Sequence, residues 1–254
     1  MKSSDYSISQ LKAIISNMDE SSVEELFEQE ARIGALKLKS QRLKQIDKEQ
    51  ILKQQYYKML QYENKYSGKV IAGVDEVGRG PLAGPVVACA VILDASHAYY
   101  GLNDSKQMSK SARAQIESQL VEQVTYSIGT ASVEEIDTMN IYEATKVAML
   151  RAIESLPVSP DVLLIDAMKL NTGLIEESII KGDANSVSIA AASVIAKEYR
   201  DQLMAAYAQQ YPGYDFEHNA GYGTKNHLTG INNQGITPIH RKSFEPIKSM
   251  VNQK

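Results

Sequence analysis

The sequence predicts an α/β fold, a mixed central sheet flanked by helices, with a helical extension before it and a helical part after it. Three observations carry that expectation. Two short β-branched runs, KVIAGVDE and PVVACAVIL, face each other across a turn-rich GRGPLAG. DVLLID is apolar between its two aspartates, the texture of a parallel strand buried on both faces. The alanine-rich SVSIAAASVIAKEYRDQLMAAYAQQ reads as one long helix whose small side chains permit close packing.

In chain order, residues 1–66 contain no proline and a single glycine, Gly34, and read as helix. Ile8, Leu11, Ile14 and Ile15 recur at helical spacing, and Ser21 or Ser22 with Glu24 or Glu25 three residues on forms a capping box for a second helix. The pattern continues from Gln41 to Tyr62 through Leu43, Ile46, Ile51, Leu52, Tyr56 and Met59. Charge divides this region: residues 1–32 hold seven acids against three bases, and residues 33–65 eight bases against three acids. The basic half either lies along a phosphate backbone or is an amphipathic helix with its lysines in solvent.

After Ser67-Gly68 the texture turns to strands. KVIAGVDE and PVVACAVIL suit a hairpin-like pair, with Pro81 and Pro85 unable to donate ladder hydrogen bonds. Ser109 to Gln123 fits a helix through Ala112, Ile116, Leu120 and Val121, and VTYSIGTASV a further strand. Ser132 with Glu135 caps a long helix running toward Ile153. DVLLID and a shorter ESIIKGD follow as strands, then the alanine-rich helix from Ser186 to about Gln209, then a looser part rich in proline, glycine and asparagine. The expected domains are a helical extension over 1–66, a candidate substrate-binding segment, and a catalytic domain over 67–254 whose sheet-bearing core reaches about residue 212.

Composition narrows the function. With 43% hydrophobic and 23% charged residues in 254, the chain has the usage of a packed globular protein. No apolar run approaches the ~20 residues that span a bilayer. The start, MKSSDYSISQLK, lacks the apolar stretch of a secretory signal, so a cytoplasmic protein without membrane association is expected. The lone Cys89, in PVVACAVIL, excludes an intramolecular disulfide and a cysteine-based zinc cluster and reads as a small core residue. A net charge of −4 excludes a uniformly basic nucleic-acid binder but leaves room for a local basic surface.

Carboxylates follow strands in three places: Asp75-Glu76 after KVIAGV, Asp166 after DVLLI and Asp183 after ESIIKG. Functional groups in open α/β sheets gather where strands end, so these four are candidates for one site. Gathered carboxylates repel unless a cation compensates them, and an all-oxygen set selects magnesium, manganese or calcium over zinc. Asp75 and Glu76 are neighbours, whose side chains on a strand point to opposite faces, so the strand is expected to bend or end there, as Gly78 and Gly80 allow. GRGPLAG lacks the spacing of a P-loop or dinucleotide turn. Its glycines would instead let a nucleic-acid backbone come close enough for main-chain groups to meet a ribose hydroxyl.

GVDEVGRGPLAGPVV at 73–87, NDSK at 103–106, LLIDAMKL at 163–170, KGDANSVSIAAASVIAKEYRD at 181–201, GYGTKNH at 221–227 and HRKSF at 240–244 resemble the type 2 ribonuclease H family, in particular bacterial ribonuclease HII. The blocks occur in the family's order and cover nearly everything from about residue 70 onward. The resemblance implies a ribonuclease H-like sheet and a catalytic, metal-holding set of Asp75, Glu76, Asp166 and Asp183. It implies that Gly78, Arg79 and Gly80 recognise the 2′-hydroxyl at an RNA–DNA junction, that Tyr222 stacks on the neighbouring deoxyribose, and that Ser105 and Lys106 contact phosphate. Lys197, Arg200 and His227 match its motifs without a defined role, and surface charge or loop hydrogen bonding is the plainer reading of them. Val77 stands where alanine is common, and Gln107-Met108 where lysine and leucine are expected; neither touches a carboxylate. The first 66 residues lie beyond the resemblance.

What the resemblance implies is hydrolysis of the RNA strand of RNA/DNA hybrids and incision 5′ of single ribonucleotides in duplex DNA, leaving 5′-phosphate and 3′-hydroxyl ends. Two divalent ions, manganese or magnesium, about 3.5–4 Å apart would serve that chemistry. The chain is expected to act as a monomer, and the tail SMVNQK shows no convincing copy of the sliding-clamp motif that some members carry. Rivals are a ribonuclease HIII-like enzyme needing runs of ribonucleotides, a catalytically silent hybrid-binding module, and a magnesium-dependent phosphatase. GRG in place of GKG, a helical rather than sheet-bearing extension, and the intact carboxylate set argue against them.

Overall fold

The computed structural model describes residues 2–252; Met1, Gln253 and Lys254, at the ends of the MKSSDYSISQLK start and the SMVNQK tail, lie outside the described residues. The chain forms two compact units, Met1–Tyr57 and Lys58–Lys254. Among the described residues no helix is long and apolar enough to cross a membrane.

The first unit holds a 3-10 turn at Ser3–Asp5 and helices α1 (Ile8–Ile15), α2 (Glu20–Leu26) and most of α3 (Ile33–Met59). Leu11, Ile15, Val23, Leu26, Phe27, Ala35 and Ile46 form its core. The cap of α2 differs from the expected serine box. Asp19 accepts from the Ser22 amide at 2.8 Å and from Ser21 Oγ at 3.1 Å, so both serines lie inside the first turn. Helix α3 begins at Ile33, well before Gln41, because Gly34 in a helix costs only about 1 kcal/mol and does not break it.

The second unit carries α4 (Gln61–Lys65), β1 (Ile71–Val77), β2 (Val86–Ile92), α5 (Lys110–Gln123), β3 (Thr125–Ala131), α6 (Val133–Met139), α7 (Ile141–Glu154), β4 (Val162–Asp166), β5 (Ile175–Ile179), α8 (Gly182–Asn185), α9 (Val187–Gln210), α10 (Phe216–Asn219), α11 (Lys225–Gln234) and α12 (Ile247–Asn252). The sheet runs β3-β2-β1-β4-β5. β1–β2 and β2–β3 are antiparallel, β1–β4 and β4–β5 parallel, which makes the mixed sheet the sequence predicts.

Strand alternation sorts the sheet into two faces. Ala72, Val74, Leu163 and Ile165 join Ala144, Ala148, Met149 and Ala152 of α7 in the main core. On the other face Val162, Leu164 and Ile179 meet Ile189 of α9. Both helices approach closely through glycine: a Cβ on Gly73 would lie 2.2 Å from the Ser188 carbonyl carbon, and one on Gly129 2.0 Å from the Ala148 oxygen. Helix α9 is buried at every position from Val187 to Ala196, and beyond the sheet its Met204 enters a second cluster with Tyr214, Phe216, Ile231, Ile239 and Ile247.

In the second unit two elements differ from expectation. The long helix expected after Ser132 breaks at Asn140, which sits at φ 74 and caps α7 through Tyr142 and Glu143, while the Ser132–Glu135 box caps only α6. Asp183 does not close a strand; β5 ends at Ile179, Lys181 turns at φ 54, and Asp183 lies in the first turn of α8.

Candidate active site

β1 and β4 run in parallel register from Ile71↔Val162 to Val74↔Ile165, and there the ladder stops. The next residues are Asp75 and Asp166, one on each parting strand. Asp75 shares the parity of Gly73 and Asp166 that of Leu164, so both point to the α9 face. Glu76 has the opposite parity, yet one carboxylate oxygen from each of Asp75, Glu76 and Asp166 lies within 4.8 Å of the others. The strand does not end at this pair: Asp75 and Glu76 still pair with Cys89 and Ala88 of β2, and the bend follows at Gly78, φ 91. Having left β4, β1 has no neighbour on that edge to keep Glu76 from the other two.

Asp183 stands beside this trio rather than within it. The Gly182 amide that opens its helix turn donates to Asp166 Oδ1 at 2.6 Å. Burial and then the carboxylates of Asp104 and Asp166 push Asp183 up to about 6. Burial, followed by the charge of Glu76, holds Asp75 well above the usual carboxylate range, and burial likewise raises Glu76 although Arg79 opposes it. Glu76 Oε2 is buried with no hydrogen-bond partner among the described residues. A buried, unpartnered carboxylate oxygen among mutually repelling carboxylates is the environment a divalent cation would relieve, so the donor set fits a hard, oxygen-seeking ion. Cys89, across the ladder from Asp75, is a buried core thiol raised by burial and by that carboxylate.

The other expected site residues fall into two groups. Arg79 and Tyr222 are open to solvent: Arg79 Nη1 stands 3.4 Å from Glu76 Oε1, and a Cβ on Gly80 would lie 3.4 Å from the Tyr222 ring. Lys106 is exposed; partial desolvation alone would lower it, but Asp75, Asp183, Asp104 and Glu76 outweigh that and raise it. Ser105 turns inward, its hydroxyl 2.9 Å from Ser193 Oγ, and so holds the segment that carries Lys106. Lys197 pairs with Asp201 on its own helix.

Arg200 and His227 are neither surface charges nor loop residues. Arg200 is 1% exposed and donates to the carbonyls of Pro85, Ala83 and Ala220 at 2.8–3.1 Å. His227, fully buried, bonds the Tyr222 carbonyl and His240. The sequence reading passed over Arg241, whose guanidinium holds the carbonyls of Gly78, Arg79 and Gly84 at 2.5–2.9 Å. It also passed over Asp104, which faces Asp183. Both lie in blocks that carry the resemblance, NDSK and HRKSF, and that was their only signal.

A mixed sheet whose parting parallel strands deliver buried carboxylates, with helices on both faces, is the architecture of a ribonuclease H-like enzyme. The chain belongs to the ribonuclease HII family: that family matches residues 72–247, and the ribonuclease HII N-terminal domain matches residues 7–67. It is 64% identical over 251 residues to the ribonuclease HII of Macrococcus caseolyticus, spanning 99% of this chain and 95% of that one. To the ribonuclease HII of Staphylococcus carnosus it is 54% identical over 256 residues, 98% of each chain. Among solved structures, the ribonuclease H2 of Pyrococcus horikoshii superposes with a TM-score of 0.59 at 28% identity, over 72% of this chain and 97% of that one. The chain is thus a ribonuclease H, and the helical N-terminal part is a family feature.

Proposed function

We propose that this ribonuclease hydrolyses the RNA strand of RNA/DNA hybrids and incises 5′ of single ribonucleotides embedded in duplex DNA, leaving 5′-phosphate and 3′-hydroxyl ends. The observation that carries this reading is the convergence of Asp75, Glu76 and Asp166 where β1 parts from β4, a few residues from the Gly78–Arg79–Gly80 turn and Tyr222.

In this reading Asp75, Glu76 and Asp166 hold divalent cations, magnesium or manganese, and Asp183 completes the set. Such ions supply charge neutralisation at the phosphate and a water deprotonated at neutral pH. The chain's own residues do the rest. The exposed backbone of Gly80, beyond the buried Gly78, admits the sugar–phosphate chain, and main-chain groups of the turn read the 2′-hydroxyl. Tyr222, exposed beside Gly80, offers its ring to the adjoining deoxyribose. Lys106, kept protonated by four surrounding carboxylates, meets the scissile phosphate. The helical extension adds phosphate contacts through its basic half. The protein acts in the cytoplasm, as a monomer.

The test is cleavage of a labelled DNA duplex containing one ribonucleotide, beside a continuous RNA/DNA hybrid, with manganese, magnesium or chelator. Metal-dependent incision immediately 5′ of the lone ribonucleotide is expected. Cutting of the continuous hybrid alone would refute junction reading, and binding without cutting would refute catalysis.

A further inference from the structure

We propose that His227 and His240 form a positioning relay that fixes Tyr222 against the Gly78–Arg79–Gly80 turn and so gives the enzyme its preference for a ribonucleotide junction over a continuous hybrid. The proposal rests on the junction reading above and adds residues that touch no substrate.

Both imidazoles are fully buried, with Nε2 of one 3.0 Å from Nε2 of the other. Two ring nitrogens at that distance need one donor and one acceptor. Two backbone groups decide which is which. The Thr237 amide, which can only donate, lies 2.8 Å from His240 Nδ1, so a neutral His240 carries its proton on Nε2. The Tyr222 carbonyl, which can only accept, lies 2.9 Å from His227 Nδ1, so His227 carries its proton there and accepts at Nε2. The chain therefore runs in one direction, from the Thr237 amide through His240 and His227 to the Tyr222 carbonyl. Every ring nitrogen is satisfied with both rings neutral.

The segment that carries His240 also grips the other half of the reading surface. His240 bridges to Ala83, and Arg241 donates its main-chain amide to Leu82 and its guanidinium to the Gly78, Arg79 and Gly84 carbonyls. One dipeptide thus holds the glycine turn directly and Tyr222 through His227. Tyr214 and Phe216 crowd the two rings, with centroids 5.1–6.3 Å away, which leaves them little freedom to turn. A single ribonucleotide offers one 2′-hydroxyl beside one deoxyribose, so both contacts must be met at one spacing. A continuous hybrid offers a 2′-hydroxyl in every register. Loosening Tyr222 therefore weakens junction cutting more than hybrid cutting.

The experiment compares His227→Asn with His227→Gln in the full-length protein. The Asn amide stands where Nδ1 stood and keeps the bond to Tyr222; the Gln amide reaches the Nε2 position, keeps His240 and loses Tyr222. The readout is kcat/KM on the single-ribonucleotide duplex divided by that on the continuous hybrid. Loss of one hydrogen bond leads us to expect that ratio to fall about tenfold in the Gln variant and to hold in the Asn variant, although both lose the buried ring. In a Tyr222→Ala background His227→Gln should change the ratio no further. Equal ratios in the two variants, or a further fall in the Tyr222→Ala background, would overturn the relay. If Tyr222→Ala lowers the ratio and His227→Gln does not, the relay fails and the junction reading stands; if Tyr222→Ala leaves it unchanged, both fall. Independently of any variant's folding, nitrogen-15 spectra of the unaltered protein at neutral pH should show opposite tautomers, Nδ1–H on His227 and Nε2–H on His240. Like tautomers would refute the relay.

Discussion

Asp75 is buried beside two carboxylates, and its charge is what the site needs and what the fold resists. Asp75→Asn keeps the shape and removes one repelling charge. On the proposed function turnover should fall at least about 10³-fold, since the substitution would remove a ligand of the charge-neutralising ions. Hybrid binding in chelator should stay within about twofold, because phosphate and groove contacts carry affinity. Single-turnover cleavage and fluorescence anisotropy measure the two. His240 makes a prediction about pH. Burial, and then His227, lowers it from 6.5 to about 4, so the fold favours the neutral ring and the unfolded chain takes up the proton first. Its contribution should be complete above about 6.5, decline as pH falls, and be gone below about 4, on the order of 3 kcal/mol in all. Raised carboxylates such as Asp183 work in the opposite sense, gaining relative stability as pH falls. The measurement is therefore the difference in urea stability between parent and His240→Gln, which should shrink from pH 7 to pH 4; a constant difference would contradict it. At this scale the carboxylates were legible, because acids after apolar strands stand out in one dimension. Arg200 and His227 stood out only through the resemblance and without a role, and Arg241 and His240 not at all, since a buried guanidinium or imidazole bonded to backbone looks in sequence like any helix or loop residue.

Gly73 and Gly129 do the same mechanical work on opposite faces of the sheet, and a methyl at each would sort structure from function. Gly129→Ala puts a carbon 2.0 Å from the Ala148 carbonyl oxygen and forces α7 off β3, the edge strand that β2 separates from carboxylate-bearing β1. It should cost about 3 kcal/mol in urea denaturation, at the upper end for overpacking, while kcat at low temperature persists. Gly73→Ala forces α9 from β1, the strand that bears Asp75, and should cost as much while also lowering kcat. Elements were legible where period or capping was strong: the hairpin, the parallel strand, the Ser132 box and the alanine-rich helix. The break at Asn140 was hidden because no proline or glycine stands between Val133 and Glu154, and only a positive-φ backbone, which asparagine tolerates, divides the helix. The end of β5 was hidden for a related reason, as Lys181 turns at φ 54 without a glycine at that position.

On the scale of the whole molecule, a chain of net charge −4 must bind a polyanion while burying carboxylates, so positive charge has to be placed locally. The first unit supplies some of it. Within α3, Lys39 pairs with Glu24 and Arg42 with Glu49, whereas Lys37, Lys44 and Lys48 are exposed and, among the described residues, engaged in no ion pair. Their spacings of seven and four set them along one side of the helix. If that side follows a phosphate backbone, each contact releases counterions and adds to the salt dependence of binding. Replacing all three by glutamine should then weaken hybrid binding at low salt and flatten the slope of log K against log salt by about 2–3, near 0.9 per lost contact. The value of kcat at saturating hybrid should not change, because none of the carboxylates proposed for catalysis lies in this unit. Binding titrations of the full-length protein across salt concentrations decide it. An unchanged slope would assign these lysines to solvent, and the extension would then owe its place in the chain to its own packed core.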